Sequence, residues 1–264
     1  MNSDLSASFI WPDWPAPANV KALQTTRGLN EKQFGVSLAP YNSLNLGNHV
    51  DDNPLHVAQN RQLLSQFLPS EPVWLKQVHG INVVDAATTS CEPEADASFT
   101  TQKNVVCMTM TADCLPILLC DQAGTRVAAV HAGWRSLCEG VIESTFLQLN
   151  YQLQANHADK QASGFMAWLG PAIGPQAFEV GGEVRAQFTA QDAEAESTFF
   201  PHGEKWLGNL YKIATQRLQK LGITHIYGGG QANENWCTYT DEARFFSFRR
   251  DGDTGRMGTF IWLE

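Results

Sequence analysis

The chain lacks a hydrophobic run long enough to cross a bilayer. No segment approaches the roughly 18 consecutive apolar residues of a membrane span, so no membrane partner is expected. It also lacks basic excess. Lys and Arg number 18 against 27 Asp and Glu, a net charge of −9. A nucleic-acid footprint would be basic, so no nucleic acid is expected. An anionic small substrate stays open, because a few local Arg and Lys can hold a phosphate. The chain has no Cys-x-x-Cys pair. Its cysteines, Cys91, Cys107, Cys114, Cys120, Cys138 and Cys237, are scattered through a chain too long and too apolar to need disulfide staples. Residues 1–20 lack the basic stretch and apolar core of a signal peptide. The expectation is a cytoplasmic protein with free thiols. No repeat and no linker divides the chain, so residues 1–264 read as one domain.

What is present is 43% hydrophobic residues arranged with mixed periodicity. The expected class is mixed α/β (α+β): one domain with mixed β-sheets flanked by helices. Strand signals fall over 21–28, 73–77, 83–86, 105–110, 165–170, 223–227, 245–248 and 257–263. Helical spacing falls over 55–67, 137–149, 182–188 and 207–221. Asn53 followed by Pro54 is a cap with proline at the first helical position. Ser136 and Glu139 have capping-box spacing. Residues 92–97 read as loop, 150–163 as a polar link and 190–201 as an exposed acidic stretch.

The most informative stretch is Thr111–Arg135. Two apolar runs flank Asp121-Gln122-Ala123-Gly124, a hairpin signal. With those four residues as the loop, Cys114 falls directly opposite His131, on one face of the sheet. A thiol beside an imidazole suits zinc or copper. It equally suits a Cys–His nucleophile pair. The plainer alternative is a buried core cysteine.

Of seven histidines, only His79 and His131 stand at strand ends beside glycine. His49 follows a Gly-Asn turn and can line a pocket. His56, His157, His202 and His225 read as surface or sheet residues. A His–Cys–His set would leave one tetrahedral position open on zinc, the pattern of catalytic sites. The spacing of these residues matches no local metal motif.

Several ordered segments resemble a known family. Lys76-Gln77-Val78-His79-Gly80, Thr111-Ala112-Asp113-Cys114-Leu115-Pro116 and His131-Ala132-Gly133-Trp134-Arg135 are similar to signatures of the laccase-domain proteins. That bacterial family is also described as polyphenol oxidase, peptidoglycan editing factor or multifunctional purine nucleoside phosphorylase. Thr25–Gly28, Leu44–Gly47, Asn60-Arg61, Gly170–Gly174, Cys237–Tyr239, Phe245–Ser247 and Arg249–Gly252 extend the resemblance over nearly the whole chain. One departure is Arg27-Gly28-Leu29-Asn30, where the family has a second glycine.

The resemblance implies zinc, with copper as the alternative, bound by His79, Cys114 and His131. It supplies His79 by itself. It implies phosphorolysis of adenosine, inosine, guanosine and methylthioadenosine, with adenosine deamination as a second activity. Purine nucleosides and phosphate are the expected partners, and the chain is expected to be a monomer or weak homo-oligomer. Arg61 is expected at phosphate or ribose, with Asn45 beside it; the alternative for Arg61 is a helix-surface ion pair. Lys76, Gln77, Glu179 and Arg249 are further substrate-binding candidates. Trp134 can stack on a base or pack in the core. The rival functions are a copper-dependent phenol oxidase, a Cys–His amidase acting on peptidoglycan precursors, and a zinc-stabilised binding module.

Overall fold

The computed structural model describes residues 9–29, 34–154, 164–229 and 236–264. Much of the expected 150–163 link, with His157, lies outside them. In chain order the strands and helices begin with β1 (Phe9–Ile10), β2 (Val20–Thr25), α1 (Pro54–Leu64), β3 (Val83–Asp85), β4 (Ala97–Thr100) and β5 (Cys107–Thr111). The central hairpin is β6 (Leu115–Asp121) and β7 (Val127–Ala132), followed by α2 (Trp134–Glu139) and α3 (Val141–Gln154). Then come β8 (Phe165–Leu169), β9 (Glu179–Val180), α4 (Gly182–Gln191), a 3-10 turn (Ala193–Thr198), β10 (Phe199–His202) and β11 (Lys205–Gly208). The chain closes with α5 (Leu210–Lys220), β12 (His225–Gly228), α6 (Phe248–Asp251) and β13 (Met257–Leu263).

The hairpin sits inside a six-stranded mixed sheet of order β12-β8-β6-β7-β4-β3. A four-stranded antiparallel sheet, β1-β2-β13-β5, packs against it, and a small sheet, β10-β11-β9, lies to one side. Strand alternation explains the layers. Ile117 and Leu119 of β6 face the helix layer, packing with Val141, Ile142 and Ile213. Leu118 and Cys120 face the second sheet, packing with Cys107, Ile261 and Leu263. Phe260 and Trp262 of β13 point to that sheet's far face, against Leu64, Leu44 and Leu46. The order is helices, sheet, sheet, helix and loops. Both faces of β6 are covered, which is why it reads as a continuous apolar run.

The mixed fold is as expected; several local details differ. In the hairpin, Pro116 pairs with His131 and Cys120 with Val127, so the loop is wider than Asp121–Gly124. The Asp121 carboxylate widens it by accepting from the Thr125 and Arg126 amides at 2.7 and 3.2 Å. Cys114 therefore precedes β6 and does not pair with His131. The shift is even, so the facing of every side chain is preserved.

Residues 73–77 make no strand. The segment makes only an isolated bridge, Lys76 with Glu94, and toward β5 the Gln77 side chain stands in for the backbone: its Nε2 donates to Met110 O and its Oε1 accepts from Met110 N, both at 2.7 Å. Ser136 is not a cap. Helix α2 begins after Gly133, and Gly140, at φ 103°, divides the expected 137–149 helix in two. Residues 190–201 are structured, running from the end of α4 through the 3-10 turn into β10, with Ala195, Thr198 and Phe199 buried. Phe245 and Phe246 are core residues off any strand, and Ser247 caps α6. Asn53 does cap α1, with Pro54 at its start. Strand β4, which reads as loop at its start, lies against β7.

Candidate metal centre and substrate cavity

His131 lies near the end of β7 with its ring almost wholly buried. Its Nδ1 donates to Asp96 Oδ1 at 2.8 Å. That bond fixes the tautomer and leaves Nε2 as the ligating nitrogen, the carboxylate–histidine arrangement common behind metal ligands. The same carboxylate shapes the loop carrying His79. It accepts from the backbone N–H of Val78 at 3.3 Å, His79 at 2.9 Å and Gly80 at 2.7 Å. His79 is held in the left-handed region, at φ 60°. Such a conformation persists only where its surroundings over-determine it. Burial opposes ionisation of Asp96, but the bonds from His131 and the amides hold its carboxyl below the ordinary range.

Cys114 arrives from the third direction. Asp113, also left-handed at φ 88°, turns the chain just before β6. Both Asp113 oxygens are used, accepting from the Thr238 hydroxyl and the Arg249 amide at 2.6 Å. Cys114 Sγ then lies 3.6 Å from His79 Nε2. One donor atom each from His79, Cys114 and His131 falls within 4.8 Å of the others. Gly133 closes the remaining side; a Cβ there would meet His79 Cδ2 at 2.5 Å and Cys114 Sγ at 3.2 Å.

Electrostatics favour a charged thiolate. Burial opposes it, but His131 and then His79 overcome that cost and bring Cys114 down to about 6. His131 moves the other way for the same reason, raised by Cys114 and Asp96 against its burial. By contrast, burial pushes Cys107 and Cys120 up to about 12. A thiolate with two imidazoles is a donor set for zinc or copper, so these residues fit a metal.

The three donors line a cavity of about 450 Å³. Trp134, Phe178 and Phe248 give it aromatic wall, and Arg135, Arg249 and Arg256 give it positive charge. His49 stands at its exposed rim, where partial desolvation, then the Arg256 and Arg61 charges, push its imidazole down to about 4.

Of the expected substrate residues, Gln77 and Arg249 line this cavity. Gln77 has both amide atoms committed to Met110. Asn45, Arg61, Lys76 and Glu179 do not line it. Asn45 is fully buried and bonded within its own loop and to Arg256 N. Arg61 bonds Leu46 O at 3.0 Å, pairs with Glu92 at 3.5 Å and lies 3.7 Å from the Trp74 ring centroid, with its side chain largely buried and its Nη2 without a hydrogen-bond partner among the described residues. Lys76 pairs with Glu94 at 2.6 Å and Glu179 with Lys205 at 2.7 Å. Arg135, Arg256 and Asp96 escaped sequence reasoning. Arg135 stood inside a quoted motif, but nothing local marks Asp96 or Arg256.

The family described as multi-copper polyphenol oxidoreductase laccase matches residues 26–264. The chain belongs to this laccase-domain family. Its relatives include the Escherichia coli (strain K12) protein named "Purine nucleoside phosphorylase YfiH", 50% identical, with 97% of this chain and 99% of that one covered. The Pseudomonas aeruginosa "Purine nucleoside phosphorylase PA4543" is 48% identical over the same shares. The crystal structure of Neisseria meningitidis protein NMB0706 superposes with a TM-score of 0.85 at 45% identity, covering 97% of this chain and 99% of that one. In this laccase-domain protein, one group of three metal-capable donors converges among the described residues.

Proposed function

We propose that this laccase-domain protein is a metal-dependent purine nucleoside phosphorylase. The observation that carries the reading is the convergence of His79, Cys114 and His131 beside a cavity with aromatic and cationic walls. The names of the half-identical relatives agree with it. The metal is zinc, held by those three side chains. When bound, it supplies a Lewis-acid charge beside the substrate.

In phosphorolysis a phosphate oxygen bonds to C1′ of the ribose as the bond from C1′ to the purine nitrogen breaks. The electron pair leaves on the base, which takes up a proton, and ribose 1-phosphate remains. The protein must hold the phosphate in line with C1′ and give the purine a flat apolar seat. Arginines meet the first need. Trp134, Phe178 and Phe248 meet the second by stacking. Adenosine, inosine, guanosine and methylthioadenosine share the scissile bond. Deamination of adenosine at the same centre is the second proposed activity. All six cysteines are unpaired, the state a reducing cytoplasm maintains.

The test is phosphate-dependent purine release by protein of measured metal content. Cys114→Ala should abolish turnover and leave the fold intact. Nucleoside turnover retained in that variant defeats the assignment. Turnover of a peptidoglycan-precursor amide by metal-free protein, lost on Cys114 alkylation, would favour the Cys–His amidase instead.

A further inference from the structure

We infer that Arg256 is the principal oxyanion-binding residue of the cavity, and that the Asn45–Gly47 loop exists to seat it. The inference rests on the reading that phosphate is a co-substrate, and it names where the phosphate binds.

Three observations carry it. The first is charge. The protein is net negative by 9, yet Arg135, Arg249 and Arg256 all line the cavity. Among the described residues none of the three has a carboxylate partner at ion-pair distance. The one cavity carboxylate, Asp113, has both oxygens occupied by Thr238 and the Arg249 amide. Unpaired guanidinium charge gathered in a concave site favours an anion.

The second is aim. Arg256 anchors one end of its guanidinium, Nη1 donating to Thr254 O at 2.9 Å and Gly255 O at 3.0 Å. Its Nε and Nη2 have no partner among the described residues, so the Nε–Nη2 edge is free to make the two parallel bonds that suit an oxyanion. Arg249 keeps the same edge free, its Nη1 bonding Glu179 O at 2.9 Å, and Arg135 lies 4.5 Å from the Trp134 ring centroid, but both of these side chains are exposed whereas Arg256 is half-buried. Those two are secondary contacts.

The third is the seat. Asn45 Oδ1 accepts from Arg256 N at 2.9 Å, and Leu46 N donates to Arg256 O at 3.1 Å. A Cβ on Gly47 would meet Arg256 Cγ at 2.8 Å, so only glycine leaves room for the arginine stem. Asn45 is itself fixed by Asp52 at 2.9 Å and, through its carbonyl, by Asn60 at 2.9 Å. Asn45 is thus a positioning residue acting through Arg256, not a substrate contact.

The test uses the full-length, metal-loaded protein and inorganic phosphate. Phosphate is titrated calorimetrically, alone and with saturating purine base, and the KM values for phosphate and nucleoside are measured separately. Losing charged hydrogen bonds in Arg256→Met should weaken phosphate binding and raise its KM by about 10- to 100-fold. The nucleoside KM and the metal content should hold. Arg256→Lys keeps the charge but loses the fork, and should fall between; it serves if Arg256→Met does not fold. Asn45→Ala and Gly47→Ala should each raise the phosphate KM, and the Asn45→Ala/Arg256→Met double variant should be no worse than Arg256→Met alone. Unchanged phosphate binding in both Arg256 variants, or an equal rise in both KM values, overturns the inference. So does wild-type protein that binds no phosphate. Wild-type protein that binds phosphate through Arg256 yet releases no purine keeps the anion site and removes the phosphorylase reading.

Discussion

Replacing Gly133 by alanine should destroy the metal centre while sparing the fold. The backbone at Gly133, φ −60° and ψ 157°, suits any residue. Restricting the unfolded chain should stabilise the variant by about 0.4–1 kcal/mol. Alanine is a poorer N-cap than glycine, which offsets about 0.5–1 kcal/mol and leaves the fold close to wild-type stability. The added methyl is the difficulty. It would lie 2.5 Å from His79 Cδ2 and 3.2 Å from Cys114 Sγ. Carbon atoms rest about 3.5–4.0 Å apart, so the imidazole must retreat by roughly 1 Å. Ligand distances tolerate only about 0.2 Å. The His79 backbone cannot follow, because Asp96 holds the amides on both sides of it and its own. The ring can yield only by turning out of the donor set. Removing even a supporting bond behind a ligand costs about 10- to 100-fold in metal affinity, so losing the ligand should cost about 100-fold or more. That corresponds to about 2.7 kcal/mol or more. Competition with a chromophoric chelator measures the affinity. Melting with and without zinc measures the fold, since a ligand that binds only the native state raises Tm. Metal-free Gly133→Ala should melt within a few degrees of wild type and gain little from zinc. Zinc affinity within about threefold of wild type would refute the geometry of the triad.

Other outcomes follow from the same contacts. Asp96→Asn keeps the size of the side chain but loses the charge that His131 and three amides share, and zinc affinity should fall by about 10- to 100-fold in the chelator assay. In metal-free protein at neutral pH, Cys114 should be alkylated well before Cys107 and Cys120, because its thiol titrates near 6 and theirs near 12. Peptide-mapped iodoacetamide labelling across pH should show Cys114 reactivity rising through pH 6, and zinc should suppress it. Asp113→Ala frees the Thr238 hydroxyl and the Arg249 amide at once. A buried bond to a charged group contributes about 1.5–3 kcal/mol, and chemical denaturation should read a loss of at least that size.

Much of this protein was legible locally. Helix α1 declares itself through Asn53 and Pro54, whose effect reaches only one turn. The apolar runs of β6 and β7 announce a hairpin, and the even side-chain period keeps Cys114 on the expected face although Pro116, not Cys114, pairs with His131. The motifs point to His79, Cys114 and His131, the three side chains that converge. The details that failed depend on side chains doing backbone work. Asp121 widens the loop, and Gln77 imitates a strand. No propensity records such substitutions.

The sequence by itself settled the mixed class and the family and pointed to His79, Cys114 and His131, because periodicity, caps and motifs are written within a few residues of one another. The tertiary structure alone decided that Asp96 holds two of the donors at once, that Asp113 bonds Arg249 across 136 residues and that Asn45 bonds Arg256 across 211. Those bonds join segments far apart in the chain that only the folded topology brings together, and local pattern carries no information about who will face whom across that distance.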